Sequence, residues 1–320
     1  MYLFKKLYQI VLLLAVIVSG CNLKERSKVE ENTTATGEIT ITADDALKPI
    51  VDAEVNTFQA IYQNAKINVI YSSESETIGK LLNSEVKLAI ASRPLTKEEV
   101  DAYKAKHTIG PKIIKIGIDA LAFIINRDNP DSAISYEQIQ SMLRGELTNW
   151  GQINKQSSLG NINIIFANDS SASVRYLKDS VAKVEKLPPN CFAVNTNPKV
   201  IDYVAQNKNS IGVIGVSWVS DRDDTVTRGF LDKVNVLAIS KLGNSDYADE
   251  YYQPYQGYIA NGEYPFNRGI YIINAETGLR LGSGFTAFVA GDKGQRVILK
   301  SGLVPATMPV RLVEIKKNTE

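Results

Sequence analysis

Four short stretches of this sequence place hydroxyl or carboxylate side chains between an apolar run and an amphipathic one. The clearest is FANDSSASVRYLKDS, residues 166–180, where three serines separate the apolar run INIIFA from a segment with helical spacing. Serine and aspartate are the usual N-cap residues of helices, so capping explains one such junction. A helix N-terminus with unpaired N–H groups and spare hydroxyls also binds anions. The number of such junctions in the sequence helps to decide between helix capping and anion binding.

Three further junctions have the same form. Asp44, Asp45 and Ala46 follow EITITA, residues 72–77 follow KINVIY, and Ser92 follows KLAIA. Helix capping explains each junction separately. The alternation of strands and helices by itself also partly explains why the junctions would lie on the same side of a sheet. Helix dipoles and hydroxyl donors that converge on a cleft would coordinate a compact anion. Both interpretations stay open, and the count of four junctions favours the anion site.

The elements that would position these junctions are short apolar strands alternating with amphipathic helices. Such alternation predicts an α/β fold with parallel strands. ALAFIIN (residues 120–126) and GIYIIN (residues 269–274) are each interpreted as a short strand after a loop, where the chain crosses between two lobes. Lobe one is predicted to comprise residues 38–120 and 268–320, and lobe two residues 121–267. The ligand is expected in the cleft at the carboxyl ends of the strands.

Composition argues against several classes of site. The chain has 36 basic and 35 acidic residues and a net charge of +1, without a basic stripe, so it offers no electrostatic case for nucleic acid. After the processing described below, Cys191 is the one free thiol left, and one histidine, His107, with one distant cysteine cannot form a histidine-based triad or a zinc cluster. No metal or cofactor is therefore expected, and Cys191 is predicted to have no catalytic role.

The first residues of the sequence predict that the protein is exported. Two lysines precede an apolar stretch over residues 7–18 that is short for a membrane span and typical of a signal peptide, here residues 1–20. The stretch ends in VSGC, which resembles the bacterial lipobox and implies cleavage before Cys21 and lipidation there. Residues 21–37 would then tether the folded part to a membrane on its periplasmic or cell-surface side. An uncleaved anchor or a buried apolar helix is the alternative.

The mature chain resembles the phosphate-binding lipoproteins of bacterial ABC uptake systems, which have the type II periplasmic-binding-protein fold. The segments that carry the resemblance are EITITADDALKPIVDAEVNTF, VKLAIASRPLTKEE, ISYEQIQSMLRGELTNWGQI, FANDSSASVRYL, SIGVIGV, YPFNRGIYII and TAFVAGDKGQRVILKSGLVPA. The resemblance implies two lobes, each a mostly parallel sheet flanked by helices, with two hinge crossings. It also implies a non-enzymatic monomer that captures phosphate or a similar oxyanion and delivers it to an ABC transporter permease.

Matching the family's motifs position by position implies a set of ligand contacts. They are Asp45, Ala46, Ser75, Thr77, Ser92, Arg93, Ser171, Ala172, Ser173 and Arg175.

Two positions depart from the family pattern. Ala167 stands where the family usually has arginine, and Arg93 stands where it usually has aspartate. We therefore hypothesise a charge swap in which Arg93 supplies the missing guanidinium, with Arg175 as a second candidate. Asp44 or Asp45 would accept the proton of a monohydrogen anion. Glu74 and Glu76 would disfavour a dianion unless they point away.

Two functions from other classes remain as alternatives. A signalling or scaffold lipoprotein could keep the fold and change the ligand, and the altered loop charges favour it. Ser180 and Lys183 have the Ser-x-x-Lys spacing of serine acyl-transfer enzymes, in which lysine deprotonates serine one helical turn away. Such a loose match arises by chance in a chain of this length and composition, and no Ser-Asp-Asn element accompanies it.

Overall fold

The computed structural model describes residues 32–221, 223–240 and 251–310. The predicted signal peptide and Cys21 lie outside the described residues, as does most of the predicted tether. Within the described part of the chain, no helix is long and apolar enough to cross a membrane.

Most strands belong to one large twisted sheet. The strands of the described residues are β1 (Gly37–Asp44), β2 (Ala65–Ser72), β3 (Leu88–Ala91), β4 (Lys112–Asn126), β5 (Ala133–Ser135), β6 (Asn163–Phe166), β7 (Cys191–Ala193), β8 (Ser210–Gly215), β9 (Val234–Val236), β10 (Ala238–Ser240), β11 (Tyr251–Tyr252), β12 (Asn267–Asn274) and β13 (Val304–Pro305). In the large sheet, neighbouring strands run in the order β2-β1-β3-β12-β4-β8-β6-β7, and β13 and β9 also pair with β4. A smaller sheet has the order β11-β10-β5.

Helices connect and cover these strands. They are α1 (Lys48–Ile61), α2 (Glu74–Leu82), α3 (Lys97–His107), α4 (Tyr136–Arg144), α5 (Ala172–Tyr176), α6 (Asn197–Gln206), α7 (Thr225–Leu231), α8 (Gln256–Ala260), α9 (Leu281–Ala290) and α10 (Asp292–Lys300). Short 3-10 turns follow β1 and β8, and a π-helical segment over Leu177–Ala182 continues α5.

Capping boxes begin two of the described helices. Ser135 and Gln138 form a capping box at the start of α4, and Gly145 ends that helix with a φ of 76°. Thr96 and Glu99 form the same capping box at the start of α3. These local signals fix where each helix meets its neighbouring loop.

The strand β4 corrects the prediction of a short strand over residues 120–126 that follows a loop. β4 is one strand of 15 residues that begins at Lys112. Residues 112–120 pair with β12, and Leu121–Ile125 pair with β8, so a single strand belongs to both predicted lobes. The partner change lies beside the predicted boundary between residues 120 and 121, although the lobe ranges themselves remain a prediction.

Parallel pairing dominates within each predicted lobe. β1 pairs in parallel with β2 and β3, and β6 pairs in parallel with β7 and β8. The long strands β4 and β12 run antiparallel to each other and to β8 and β3, respectively. The carboxyl ends of β1, β2 and β3 therefore lie at one edge of the sheet, where their connecting loops meet.

Candidate functional site

Hydrogen bonds and ion pairs connect all four junctions predicted from the sequence. Asn168, after β6, donates through Nδ2 to Oδ2 of Asp45, after β1, at 3.3 Å. Arg175 in α5 forms an ion pair with Glu74 in α2. Ser92, after β3, donates to Oδ2 of Asp44 at 2.8 Å. The junctions of lobe one and lobe two thus meet at one place, which we call the cleft.

The serines at these junctions cap helices, as the simpler interpretation predicts. Ser73 Oγ accepts from the N–H of Glu76 at 3.4 Å, and Ser171 Oγ accepts from the N–H of Val174 at 3.3 Å. A hydroxyl that accepts a hydrogen bond still has its own proton to donate. Capping and anion binding therefore do not exclude each other at these two residues.

Asp44 lies at the end of β1 without solvent exposure. Its Oδ1 accepts from the N–H of Ala46 at 3.1 Å, and its Oδ2 accepts from Ser92. Burial raises the pKa of Asp44 to about 7, although the positive charge of Arg268 opposes the shift. Hydrogen bonds within lobe one already engage both oxygens of this carboxyl.

Asp45 has one carboxylate oxygen that is engaged and one that is a candidate acceptor for a ligand. Its Oδ2 accepts from Asn168, but its Oδ1 is buried and has no hydrogen-bond partner within the described residues. Burial also raises the pKa of Asp45. Of the two aspartates considered from the sequence, Asp45 is the one with a free buried oxygen at the cleft.

The carbonyl oxygen of Ala46 is held by lobe two. Ser217 Oγ and Trp218 Nε1 donate to it at 3.3 and 3.1 Å. The N–H of Ala46 is already donated to Asp44. Ala46 therefore fixes the β1 loop against lobe two, and its contact with a ligand stays a prediction.

The carboxylate of Glu74 is the meeting point of two arginines from opposite lobes. It accepts from Nε of Arg175 and, at 3.2 Å, from Nη2 of the same side chain. Nε of Arg93 lies 3.5 Å from Oε1 of Glu74. Only 3% of the Glu74 side chain is exposed. Glu74 therefore points into the cleft rather than away from it.

Arg93 has a second carboxylate partner. Its Nη1 and Nη2 donate to the two oxygens of Glu99 at 2.7 and 2.8 Å, which is a bidentate pair. Hydrogen bonding to Arg93 lowers the pKa of Glu99, so this carboxylate stays charged. The charge of Arg93 is thus shared between Glu99 and Glu74, which reduces what it can offer to a ligand.

A third arginine lies beneath the cleft. Arg268, at the start of β12, donates through Nε and Nη2 to Oδ2 of Asp119 in β4 at 3.0 and 2.8 Å, and both side chains are buried. A Cβ added to Gly215 would lie 2.9 Å from the Ala46 oxygen and 3.3 Å from Nη2 of Arg268. Glycine at position 215 therefore lets the β1 loop approach the buried pair.

The remaining predicted residues line the same junctions at different depths. Ser75 is exposed, 3.3 Å from Ser73 between the two hydroxyl oxygens, whereas Thr77 is fully buried and its hydroxyl lies 3.0 Å from that of Ser72. Ala172 and Ser173 are buried in the first turn of α5. All of these contacts with a ligand remain predictions.

The residues of the alternative Ser-x-x-Lys chemistry are exposed at the end of the segment that continues α5. Ser180 belongs to the π-helical segment and Lys183 ends it in a left-handed conformation, with both residues exposed.

Cys191 is half-buried in β7, and burial raises the pKa of its thiol to about 12. That shift disfavours the thiolate, which is the reactive form of cysteine.

Sequence reasoning missed four partners in the cleft: Asn168, Glu99, Asp119 and Arg268. Glu99 was readable only as part of a capping box, and Arg268 lies in the segment YPFNRG that carries the resemblance. Neither of these sequence patterns predicts which carboxylate forms an ion pair with a given arginine. Such pairings depend on how the two lobes pack.

The chain is similar to known proteins over most of its length. A family model described as a PBP superfamily domain matches residues 28–293. The phosphate-binding protein PstS of Borreliella burgdorferi is 25% identical over 309 residues, which cover 94% of this chain and 98% of the relative. PstS of Pseudomonas aeruginosa is 20% identical over 292 residues, which cover 87% and 85% of the two chains.

This chain is also similar in fold to a solved structure. It is a Clostridium perfringens protein, assigned as a phosphate ABC transporter substrate-binding protein and crystallised with bound phosphate. It superposes with a TM-score of 0.70 at 22% identity, and the match covers 85% of this chain and 100% of that one.

Proposed function

The chain belongs to the PBP superfamily, and on that premise we propose that it is an extracytoplasmic solute-binding protein. Its ligand is inorganic phosphate or a similar small oxyanion, which it captures between lobe one and lobe two without chemical change. The names of the two relatives and the phosphate bound in the Clostridium perfringens protein support this ligand class. The protein then delivers the ligand to the permease of an ABC transporter.

Family membership also bears on the fold. The type II periplasmic-binding-protein fold predicted from the sequence is confirmed by the family match and by the superposition on the Clostridium perfringens structure. In this fold a hinge motion of the two lobes opens and closes the cleft around its ligand.

The observation that carries the proposal is the convergence of four polar strand–helix junctions, three of which bear hydroxyls, and two arginines on one cleft. Arg93 and Arg175 approach the same point from opposite lobes. The N-cap serines Ser73 and Ser171 keep hydroxyl protons to donate, and α2 supplies a helix N-terminus. Guanidinium, hydroxyl and backbone donors together complete the coordination shell of a tetrahedral oxyanion.

Asp45 supports the choice of phosphate over sulfate. Its buried Oδ1, which no described residue hydrogen-bonds, can accept the proton of monohydrogen phosphate. Sulfate has no proton to donate at neutral pH, so it would leave two acceptors facing each other. A site with such an acceptor therefore discriminates between two anions of similar size and charge.

The anchor and the assembly complete the proposal. Lipidation of Cys21 would attach the protein to a membrane through the tether of residues 21–37, and the protein would work as a monomer. The lipobox-like VSGC segment supports the anchor.

Isothermal titration calorimetry of the mature protein with phosphate, sulfate and a panel of small anions tests the function. We expect one phosphate site per chain, weaker or absent sulfate binding, and a smaller radius of gyration by small-angle scattering after phosphate is added. No response to millimolar phosphate in either measurement would show that phosphate is the wrong ligand.

One observation favours the signalling or scaffold alternative. Five carboxylates surround the three arginines of the cleft, so the cations are already paired; these carboxylates are Asp44, Asp45, Glu74, Glu99 and Asp119. A protein that binds none of the anions in the panel would fit this alternative. Turnover of a chromogenic ester or β-lactam would instead support the Ser180–Lys183 enzyme.

A further inference from the structure

We propose that Glu74 is a specificity-determining residue, because its carboxylate takes the place of the oxyanion between Arg175 and Arg93 when the cleft holds no ligand. An anion must displace this carboxylate in order to bind. The inference rests on the proposed function, since it assumes that a small oxyanion is the ligand of this cleft.

The geometry around Glu74 is that of a bound anion. The side chain is almost fully buried, Arg175 donates to it through two nitrogens from lobe two, and Arg93 Nε lies 3.5 Å away in lobe one. Guanidinium groups bind carboxylates and tetrahedral oxyanions through the same pairs of parallel N–H donors. The two arginines thus already hold an anion, which is covalently part of the chain.

The position of Glu74 in α2 makes displacement possible. Glu74 is the first residue of the helix and directly follows the N-cap residue Ser73. A residue in the first helical turn can change its side-chain rotamer without breaking the hydrogen bonds of the helix interior. The carboxylate can therefore leave the arginines while α2 and its cap stay in place.

A tethered competitor selects among ligands. Because the carboxylate is attached beside its binding partners, its effective concentration there is of the order of millimolar or higher. A weakly held monoanion, such as nitrate or acetate, does not compete with it. A divalent tetrahedral oxyanion interacts more strongly with two guanidinium groups, so it can displace Glu74 and bind between the lobes.

The same contact joins the two lobes, because Glu74 lies in lobe one and Arg175 in lobe two. We expect it to hold the cleft closed when no anion is bound. Removing the charge of Glu74 should therefore weaken the closed arrangement and at the same time free Arg175 and Nε of Arg93 for an incoming anion, while Glu99 keeps its bidentate pair with Arg93. A residue with a purely structural role would not strengthen ligand binding when it is changed.

The test compares Glu74→Gln with Glu76→Gln, which removes the same charge from an exposed position two residues further along α2. Calorimetry with phosphate and with nitrate should show that Glu74→Gln binds phosphate about 10–100-fold more tightly than the parent and gains measurable nitrate binding. Glu76→Gln should change phosphate affinity less than about threefold. Scattering should show a larger radius of gyration for ligand-free Glu74→Gln.

Each outcome decides one question. If the parent binds phosphate and Glu74→Gln binds it equally or more weakly, the inference is wrong and the proposed function stands. If neither protein binds phosphate, the proposed function fails and the inference fails with it. Phosphate binding by Glu74→Gln alone supports the inference. Thermal unfolding checks that each variant is folded, and Glu74→Ala, as a second variant, must shift phosphate affinity in the same direction.

Discussion

Replacing Glu54 with glutamine should give a variant whose stability advantage over the parent protein grows as the pH rises. Glu54 lies on the buried face of α1, at helical spacing from Ile50, Val51 and Phe58, and is 2% exposed. Neither of its carboxylate oxygens has a hydrogen-bond partner within the described residues. Burial raises the pKa of Glu54 from 4.5 to about 9, so this carboxyl is neutral in the folded protein at neutral pH.

The sign of the effect follows from where the proton goes. Between about pH 4.5 and about pH 9, Glu54 holds a proton in the folded state and releases it on unfolding. The free energy of unfolding of the parent therefore falls as pH rises through this window, with a slope of at most about 1.4 kcal/mol per pH unit. Glutamine has no proton to release, so Glu54→Gln lacks this loss of stability.

Urea denaturation of both proteins measures the difference directly. From pH 5.5 to pH 7.5, about two units, the advantage of Glu54→Gln should grow by up to about 2.7 kcal/mol, and by less if water reaches the carboxyl. The titration of Asp44, which shares this pH range, is present in both proteins and cancels in the difference. Glu185→Gln, at an exposed position, is the matched control and should show no such trend.

A difference in stability that stays constant between the two pH values would refute the reasoning. It would mean that Glu54 titrates alike in the folded and unfolded states, and so that its carboxyl is solvated in the folded protein. A parent protein that is more stable than Glu54→Gln at pH 7.5 would refute it as well, since it would imply a favourable ionic contact for Glu54.

Three further outcomes are expected. Arg93→Ala should weaken phosphate binding by calorimetry about tenfold, since Arg93 shares its charge with Glu99 and Glu74, and unchanged affinity would leave Arg175 as the principal cation. Arg268→Met should lower the free energy of unfolding by about 3–5 kcal/mol, because it leaves Asp119 buried without its partner; a loss below 1 kcal/mol in urea denaturation would contradict this. Cys21→Ser should release the protein from the membrane fraction, and continued retention there would count against lipidation at this residue.

Sequence reasoning succeeded where local physics decides the structure. The helix over ISYEQIQSMLRG and its end at Gly145 are readable from the sequence, because a left-handed glycine at a helix end depends only on near neighbours. The alternation of strands and helices gave the fold class for the same reason. The junctions at Ser73 and Ser171 were recognisable because hydroxyls between a strand and a helix are a local pattern.

The sequence could not show what depends on contacts between the lobes. Whether Glu74 points into the cleft is decided by the position of Arg175, a hundred residues away in another helix. The extent of β4 was missed: its first half, Lys112–Asp119, mixes isoleucines with two lysines, a glycine and an aspartate, and it gains its pairing from β12 near the other end of the chain. Glu54 is an acidic residue within the apolar face of α1. Because the apolar residues alone identify that face, the burial of Glu54 was not recognised from the sequence.

The single long strand β4 has a thermodynamic consequence for a protein with two lobes. Its backbone hydrogen bonds join β12 at one end and β8 at the other, without a linker between them. Neither half of the sheet can lose its order without exposing one end of a strand that the other half needs. We therefore expect the two lobes to melt in one cooperative transition, and neither lobe to survive as an independent fragment after cleavage within β4.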